Sequence, residues 1–405
     1  MNIFYYDVAI PIPVRETFTY ECKESIQVGS RVLVEFRKKK VVGHIAKEVL
    51  KKPNFRTIQI SEILDEEPIF NSNDIEILFW LADYYQHPIG EVFDTFCPPI
   101  LRKPVKRNIH SRNIQPEYKT FSNDKKITLN KEQTESLRIL NKLDGFDPCL
   151  LYGVTGSGKT EIYLRLTDTY LSQGKSVLIL VPEISLTPQL EDRFISRFGD
   201  NIGIYHSRKT AKQRYDIWER SKSGELKIVI GTRSAVLCPL NKLGVIIVDE
   251  EHDQSYKQHE GFRFSARDLG IKRAQVEGIP IVLGTATPSL QTLRLVQEKK
   301  YKETKLLKRA NGSKPPGFIT LDINDSQLES GIAKESLDAI TNTLKENKQV
   351  LIFINRRGFS PLYECSSCRW TAECSSCDAR LVSVSYTHLR AHETLRYLVC
   401  RLLLE

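Results

Sequence analysis

One eight-residue segment carries the strongest chemical signal in the sequence: Gly153, Val154, Thr155, Gly156, Ser157, Gly158, Lys159 and Thr160. It fits the pattern G-x-x-x-x-G-K-[S/T] and stands between an apolar run at 149–152 and a helical pattern at 161–171, the context of a phosphate-binding loop. The glycines let backbone N–H groups surround a phosphate, and the helix adds its positive N-terminal dipole. We expect Lys159 to reach the β- and γ-phosphates of a nucleotide and Thr160 to bind Mg²⁺. The simpler alternative is a glycine-rich turn with an exposed lysine.

A second chemical signal is the acidic run that begins at Asp249 and Glu250, directly after four apolar residues at 245–248. The apolar run predicts a buried strand whose C-terminal end brings Asp249 to the phosphate loop, because α/β sheets bind ligands at that edge. We expect Asp249 to hold Mg²⁺ and Glu250 to polarise the attacking water. Taken alone, the run could be a solvated acidic cluster, but together the two signals predict nucleotide hydrolysis.

Four of the nine cysteines form two C-x-x-C pairs: Cys365, Cys368, Cys374 and Cys377. In a chain without a secretion signal, such pairs favour metal ligands over disulfides. Zinc prefers four thiolates in a tetrahedron, and each pair supplies two of them. One site made of all four residues would need a very tight loop, so we expect two half-sites.

Alternating patterns predict the elements that position these residues. Alternating strand patterns at 7–12, 18–22, 31–36 and 41–46 precede a helix over 74–85, capped by Asn73 or Asp74. Further along, apolar runs alternate with amphipathic helices, which predicts an α/β fold with a parallel sheet covered on both faces. A helix at 334–346 and a buried strand at 349–354 begin a second α/β unit. The apolar runs of the first unit lie at 149–152, 176–181, 227–230, 245–248 and 279–283.

The composition limits the class of protein. The 405 residues include 40% hydrophobic residues, which excludes wholesale disorder and predicts two or three globular domains. A net charge of +9 permits a polyanionic partner without requiring one. The sequence shows neither an apolar run long enough to span a membrane nor a signal-peptide pattern, so we expect a cytoplasmic protein with no membrane partner.

Several motifs together resemble a known family. The run Asp-Glu-Glu-His from Asp249 resembles a superfamily 2 helicase box, and Gln133 matches the adenine-reading glutamine of such enzymes. The segments Val-Pro-Glu-Ile-Ser-Leu-Thr-Pro-Gln (181–189), Gly-Thr-Arg-Ser-Ala (231–235) and Gly-Thr-Ala-Thr-Pro-Ser (284–289) resemble DNA-contact and coupling motifs. The aromatic-rich segment at 252–268 and Asn-Arg-Arg-Gly before the C-x-x-C pairs are similar to the PriA family of primosomal replication-restart helicases. The resemblance runs from about residue 5 to 382.

The resemblance implies a RecA-like P-loop helicase lobe, a small β-rich N-terminal DNA-binding domain and a truncated second lobe with a zinc-binding segment. The implied domains are a 3′-end DNA-binding domain (1–100), a basic linker (101–126), the ATP-binding lobe (127–310), the start of a second lobe (311–364) and a partial zinc-binding region (365–382). The tail at 383–405 does not resemble the family and looks like translated sequencing adapter. The alternative for this tail is a genuine amphipathic helix.

The resemblance also implies residue roles in DNA binding and coupling. The rings and cations of segment 254–267 would stack on unpaired bases and pair with phosphates, each stack contributing about 1–3 kcal/mol. The alternative is a solvated loop whose aromatic residues are tucked onto the domain. In the N-terminal domain, Thr19 stands where the family can have an aspartate that contacts the terminal hydroxyl of DNA. Arg37 stands where the family has a glycine, which allows a close approach to the backbone. The implied DNA contacts are Phe18, Tyr20, Thr232, Arg233, Tyr256, Lys257, Arg263 and Arg267, and the implied coupling residues are His252, Thr285 and Thr287.

The implied function is an ATP-dependent 3′→5′ DNA helicase that recognises stalled replication forks and initiates primosome assembly for replication restart. Its cofactors would be ATP, Mg²⁺ and Zn²⁺. Its partners would be branched and single-stranded DNA, primosome proteins, the replicative helicase loader and single-stranded DNA-binding protein. The alternative is a catalytically incomplete chain that binds ATP and fork DNA without turnover. A different superfamily 2 translocase is disfavoured by the C-x-x-C pairs.

Overall fold

The computed structural model describes residues 3–107, 128–182, 188–313, 316–323, 328–329, 332–353, 368, 370–372, 382–385 and 388–390. The chain divides into two compact units, Met1–Pro315 and Pro316–Glu405. Among the described residues, no helix combines the length and the apolar character needed to cross a lipid bilayer.

The N-terminal domain is built on a six-stranded sheet. Its strands are β1 (Phe4–Ala9), β2 (Phe18–Cys22), β3 (Arg31–Phe36), β4 (Lys39–Val49), β5 (Ile58–Gln59) and β6 (Glu62–Ile63). They lie in the order β5-β2-β1-β4-β3-β6, and the four long strands pair antiparallel. Alternating apolar residues of these strands, among them Tyr6, Val8 and Ile45, form one buried cluster. The predicted β-rich domain is therefore confirmed.

Two helices follow the sheet, α1 (Ser72–Tyr84) and α2 (Ile89–Phe96), and a 3₁₀ turn spans Pro99–Arg102. Asn71 caps α1, because its side chain accepts from the Asp74 N–H while the Asp74 carboxylate accepts from the Asn71 N–H. The predicted cap at Asn73 or Asp74 is therefore wrong, since Asp74 is the third residue of the helix. Helix α2 was not predicted from the sequence.

A seven-stranded parallel sheet with its helices forms the second part of the same unit. Its elements are α3 (Lys131–Leu140), β7 (Pro148–Gly153), α4 (Lys159–Ser172), β8 (Ser176–Leu180), α5 (Pro188–Phe198), β9 (Ile202–Tyr205), α6 (Ala211–Lys222), β10 (Ile228–Gly231), β11 (Leu243–Asp249), α7 (Ala266–Glu277), β12 (Ile281–Thr285), α8 (Leu290–Gln297) and β13 (Lys302–Leu306). The strands lie in the order β13-β7-β12-β11-β8-β10-β9. The five central strands are apolar and buried almost throughout, as expected for strands covered by helices on both faces. The predicted α/β lobe is confirmed, although strands β9 and β13 were not predicted.

The register of the parallel sheet positions the chemical motifs. Asp249, the last residue of β11, pairs with Gly284 of β12, and Thr285 pairs with Tyr152 of β7. The phosphate loop begins where β7 ends. Because parallel strands end at the same edge, the phosphate loop, the acidic run and the coupling threonines meet there.

The N-terminal domain and the α/β lobe share one hydrophobic cluster, in which Phe93 of α2 and Trp218 of α6 are both buried. Within the N-terminal domain, the buried Arg31 binds Asp65 at 2.6 Å and donates to the carbonyl of Leu101. These contacts hold the 3₁₀ turn against strand β3, while Arg107 binds Glu219 of α6 in the lobe at 2.5 Å.

The second unit contains β14 (Leu328–Glu329), β15 (Ile332–Ala333), α9 (Lys334–Lys345), β16 (Val382–Ser385) and β17 (His388–Arg390). The predicted helix at 334–346 is present. The predicted buried strand at 349–354 is wrong for its described residues, because 349–353 are not in a strand and Leu351 and Phe353 are exposed. A buried parallel strand requires a neighbour to pair with, and no described strand pairs with these residues. In the tail, the paired strands β16 and β17 contradict the helix alternative over their residues.

Candidate functional site

A cavity of about 600 Å³ lies around the phosphate loop at the C-terminal edge of the parallel sheet. The structure places sequence-predicted residues from three separate parts of the chain in its wall: Gln133, residues 154–160, and the neighbours Asp249 and Glu250. Gly153 is the last residue of β7, directly before this loop. The volume lies in the range that small-molecule ligands occupy in proteins.

The loop has the conformation that surrounds a phosphate. Gly156 and Gly158 have φ values of +79° and +88°, which favour glycine. A Cβ at Gly158 would also lie 2.3 Å from Nε2 of Gln133. The hydroxyl of Ser157 is buried and has no hydrogen-bond partner among the described residues. Buried polar groups are normally paired, so this hydroxyl fits a phosphate oxygen that the loop would hold.

Lys159 also lines the cavity and contacts two oxygens. Its Nζ donates to the carbonyl oxygen of Gly153 at 3.0 Å and lies 3.3 Å from Oε1 of Glu250. Both contacts of the ammonium are oxygen atoms. The oxygens of a bound phosphate would take similar positions around it. Thr160, on the first turn of α4, also lines the cavity.

Asp249 is held by a tyrosine that the sequence analysis missed. The hydroxyl of Tyr163 donates to Oδ1 of Asp249 at 2.8 Å, and Tyr163 is buried. Burial raises the pKa of the Asp249 carboxyl, and the hydrogen bond from Tyr163 opposes that shift. Tyr163 lies four residues after Lys159 on α4, the spacing that places two side chains on one helix face. That spacing was the only sequence signal for it.

Glu250 has a strained backbone, with a φ of +44° that non-glycine residues rarely adopt. Its Oε2 accepts from the Thr285 hydroxyl at 3.2 Å. The Thr285 hydroxyl also lies 2.8 Å from Nδ1 of His252, and the Thr287 hydroxyl lies 3.2 Å from Nε2 of the same ring. The three residues predicted to couple nucleotide and DNA therefore form one hydrogen-bonded group with Glu250. Such local strain is typical of functional sites.

Gln133 contacts the phosphate loop from α3. Its Nε2 donates to the carbonyl of Ser157 at 2.9 Å, and its Oε1 accepts from the Asn130 N–H at 2.9 Å. The amide therefore supports both the loop and the start of α3. Its reading of adenine stays a prediction.

The aromatic-rich segment after β11 is packed onto the protein. Tyr256, Phe262 and Phe264 are only 2–6% exposed, and the Tyr256 hydroxyl donates to the carbonyls of Leu180 and Asp249. The prediction that these rings, Tyr256 included, stack on bases is wrong, because their faces are covered by other side chains. The alternative of aromatic residues tucked onto the domain is confirmed.

The cations of this segment differ in availability. Lys257 and Arg263 are exposed and stay candidates for phosphate contact. Arg267 is directed into the protein, where it binds Glu251 at 3.0 Å and Asp268 at 2.8 Å. Its predicted DNA contact is contradicted, because carboxylates already engage its guanidinium.

The segment predicted to contact the DNA backbone follows β10. Thr232 is buried, and Nη1 of Arg233 donates to the carbonyls of Ser255 and Lys257 at 3.2 and 2.8 Å. Arg233 therefore connects this segment to the start of the aromatic-rich segment, while part of its side chain remains accessible.

The predicted 3′-end site in the N-terminal domain is only partly accessible. Tyr20 is buried and donates to the carbonyl of Glu35, so its predicted DNA contact is contradicted. Phe18 is half-buried against Phe36, with ring centroids 5.0 Å apart. Arg37 has a φ of +49° in the tight turn between β3 and β4, which is the conformation that glycine favours. This position thus retains a glycine-like backbone.

The cysteine pairs are largely outside the described residues. Of the four predicted zinc ligands, only Cys368 is described, and its thiol is free and exposed. Cys365, Cys374 and Cys377 lie outside the described residues. Zinc binding therefore stays a prediction.

A phosphate loop after β7 and the run Asp-Glu-Glu-His after β11, on one parallel sheet, define a P-loop helicase lobe. Residues 130–296 match the DEAD/DEAH box helicase model, and residues 7–98 match the 3′DNA-binding domain (3′BD) of PriA. The chain belongs to the family of replication restart proteins PriA.

Two relatives illustrate the extent of the likeness. The replication restart protein PriA of Haemophilus influenzae is 35% identical over 445 aligned positions, which cover 92% of this chain and 61% of that protein. The protein of the same name from Bacillus subtilis is 37% identical over 289 positions, which cover 70% of this chain and 35% of that protein. The chain thus spans about three fifths or less of the length of these relatives.

Proposed function

We propose that the chain acts in an ATP-dependent 3′→5′ DNA helicase that recognises stalled replication forks and initiates primosome assembly. The observation that carries this proposal is the meeting of Lys159, Asp249 and Glu250 in one cavity, with Glu250 bonded to the coupling group of Thr285 and His252. The matches to a 3′DNA-binding domain and a helicase domain support DNA as the partner.

In this proposal the loop N–H groups and Lys159 bind the phosphates of ATP. Thr160 and Asp249 are the residues that would hold Mg²⁺, which neutralises phosphate charge when bound. Tyr163 orients the Asp249 carboxylate, and Glu250 orients the attacking water. A change in the position of the Glu250 carboxylate alters its hydrogen bond to Thr285. Thr285 in turn contacts His252, and His252 contacts Thr287 at the edge of the lobe.

The domain boundaries given above belong to the same proposal. Residues 1–100 bind a 3′ DNA end, 127–310 bind ATP, and 311–364 begin a second lobe. The C-x-x-C pairs at 365–382 each hold half of a zinc site. The further partners are primosome proteins, the replicative helicase loader and single-stranded DNA-binding protein.

The test is phosphate release from ATP with and without single-stranded DNA, compared between the unaltered chain and Lys159→Ala. Lys142→Ala is the control, because Lys142 is an exposed lysine outside the nucleotide cavity. DNA-stimulated release that is lost in Lys159→Ala and kept in Lys142→Ala supports the proposal. Saturable ATP binding without turnover in the unaltered chain supports the alternative, a module that binds ATP and fork DNA.

A further inference from the structure

A second cavity, of about 280 Å³, lies between the N-terminal domain and the helicase lobe. We call it the arginine cavity. Three arginines are its only charged lining residues within the described part of the chain: Arg102, Arg214 and Arg233. One of them comes from the 3₁₀ turn of the N-terminal domain, and the other two come from the lobe. Arg102 is already paired with Asp94 at 3.3 Å, so Arg214 and Arg233 supply the available positive charge of the cavity, which favours an anion.

Arg214 is the informative member of this group. Its Nε is buried and has no hydrogen-bond partner among the described residues. Arg220, two turns later on the same helix α6, instead binds Glu225 at 2.8 Å and Asp216 at 3.7 Å. A buried donor without a partner is destabilising, and more so when it is charged, so Arg214 is arranged for a group from outside the chain.

The other lining residues suit a phosphate. Hydroxyl groups of Thr95, Ser207 and Ser234 lie in the cavity wall, and arginine binds phosphate through two parallel N–H donors.

The position of the cavity indicates which phosphate it takes. Tyr205 and Thr232 line it, at the C-terminal ends of the parallel strands β9 and β10. That is the edge where α/β sheets bind ligands, and the nucleotide cavity occupies a different part of it. We propose that Arg214 binds a backbone phosphate of a DNA strand that passes between the N-terminal domain and the helicase lobe.

This inference rests on the proposed function, because it assumes that a DNA strand follows this edge of the lobe. The test is the salt dependence of single-stranded DNA binding, measured by fluorescence anisotropy with a labelled oligonucleotide and the full chain. Arg214→Gln is compared with Arg220→Gln, a matched change on the same helix outside the cavity. Loss of one phosphate contact lowers the slope of log K against log salt by about 0.7 for a single strand.

We expect Arg214→Gln to weaken binding about tenfold and to lower the salt slope by about 0.7, with Arg220→Gln unchanged. Saturable ATP binding reports that each variant is folded.

Equal salt slopes for Arg214→Gln and Arg220→Gln would overturn the inference while leaving the proposed function intact. Absence of DNA binding by the unaltered chain would remove the proposed function itself.

Discussion

The acidic run and the aromatic-rich segment follow the same strand, β11, and they end in opposite environments. Glu250 lines the nucleotide cavity, as does Ser157, whose hydroxyl has no partner among the described residues. Tyr256 and Phe264, a few residues later, are buried, and the Tyr256 hydroxyl already has carbonyl partners. Residue type indicates what chemistry a segment could perform, but only the partners of each group show whether it is available.

The largest expected effect tests the burial of the aromatic-rich segment. Phe264 packs against Phe96 and Phe262, with ring centroids 5.4 and 5.2 Å away. Phe264→Ala should therefore lower the free energy of unfolding by about 3–5 kcal/mol, as truncation of a buried aromatic residue does. Urea denaturation measures the change.

The exposed neighbour Arg263 supplies the control for this change. Arg263→Ala should alter the free energy of unfolding by less than about 0.5 kcal/mol. If Phe264→Ala left stability unchanged and weakened DNA binding instead, the ring would be a base-stacking group after all.

The prediction for the aromatic-rich segment failed for a physical reason. Alternating rings and cations are compatible with an exposed binding loop and with a loop that covers an apolar surface. The surface that covers Phe264 is supplied by Phe96 of α2, about 170 residues earlier in the chain. No local pattern reveals such a distant contact. The phosphate loop was predictable because its conformation depends on its own glycines and on the strand and helix beside it.

The same reasoning separates the predictable parts of the fold from the others. Strands β7, β8, β10, β11 and β12 are continuous apolar runs, and their pattern predicted a parallel sheet. Strand β13 is partly exposed and contains three charged residues, so its sequence resembles a surface loop. Tyr163 was missed because an aromatic residue on a helix is more often part of the core. The second role of Tyr163, its hydrogen bond to Asp249, is seen only in the structure, where β11 brings Asp249 next to it.

The second prediction sharpens the comparison inside the acidic run. Glu250 contacts the cavity, whereas its neighbour Glu251 is buried and accepts from the Ser289 N–H at 2.7 Å. Glu250→Gln should slow DNA-stimulated phosphate release by about a hundredfold, because positioned acid–base groups contribute on that order. ATP binding and the free energy of unfolding should change little.

Glu251→Gln should show the opposite pattern. It weakens the bond to Arg267 and leaves a buried donor poorly paired, which costs about 1–3 kcal/mol of stability. Release of phosphate by the folded variant should persist. Similar losses of turnover in both variants, with stability unchanged, would contradict the distinction between the two carboxylates.

The third prediction concerns His44, a buried polar residue that does not line a ligand cavity. His44 lies between Phe70 and Phe93, with ring centroids 5.6 Å from each, and neither ring nitrogen has a partner among the described residues. Ser157 lies in a cavity wall that also contains the cation of Lys159, whereas His44 is surrounded by apolar rings. Burial, and next the charge of Arg31, lower the pKa of His44 to about 3.

The folded protein therefore keeps His44 neutral, while the unfolded chain binds a proton below pH 6.5. The unfolded state binds more protons between pH 6.5 and 3, so stability falls as the pH decreases through that window, by about 1.4 kcal/mol per pH unit. Between pH 7 and pH 5 this group should remove about 2 kcal/mol from the free energy of unfolding. Urea denaturation at the two pH values should show a difference that His44→Leu reduces by that amount. If the unaltered chain and His44→Leu lost the same free energy of unfolding between the two pH values, His44 would be protonated in the folded state. It would then need a partner that its apolar surroundings do not provide.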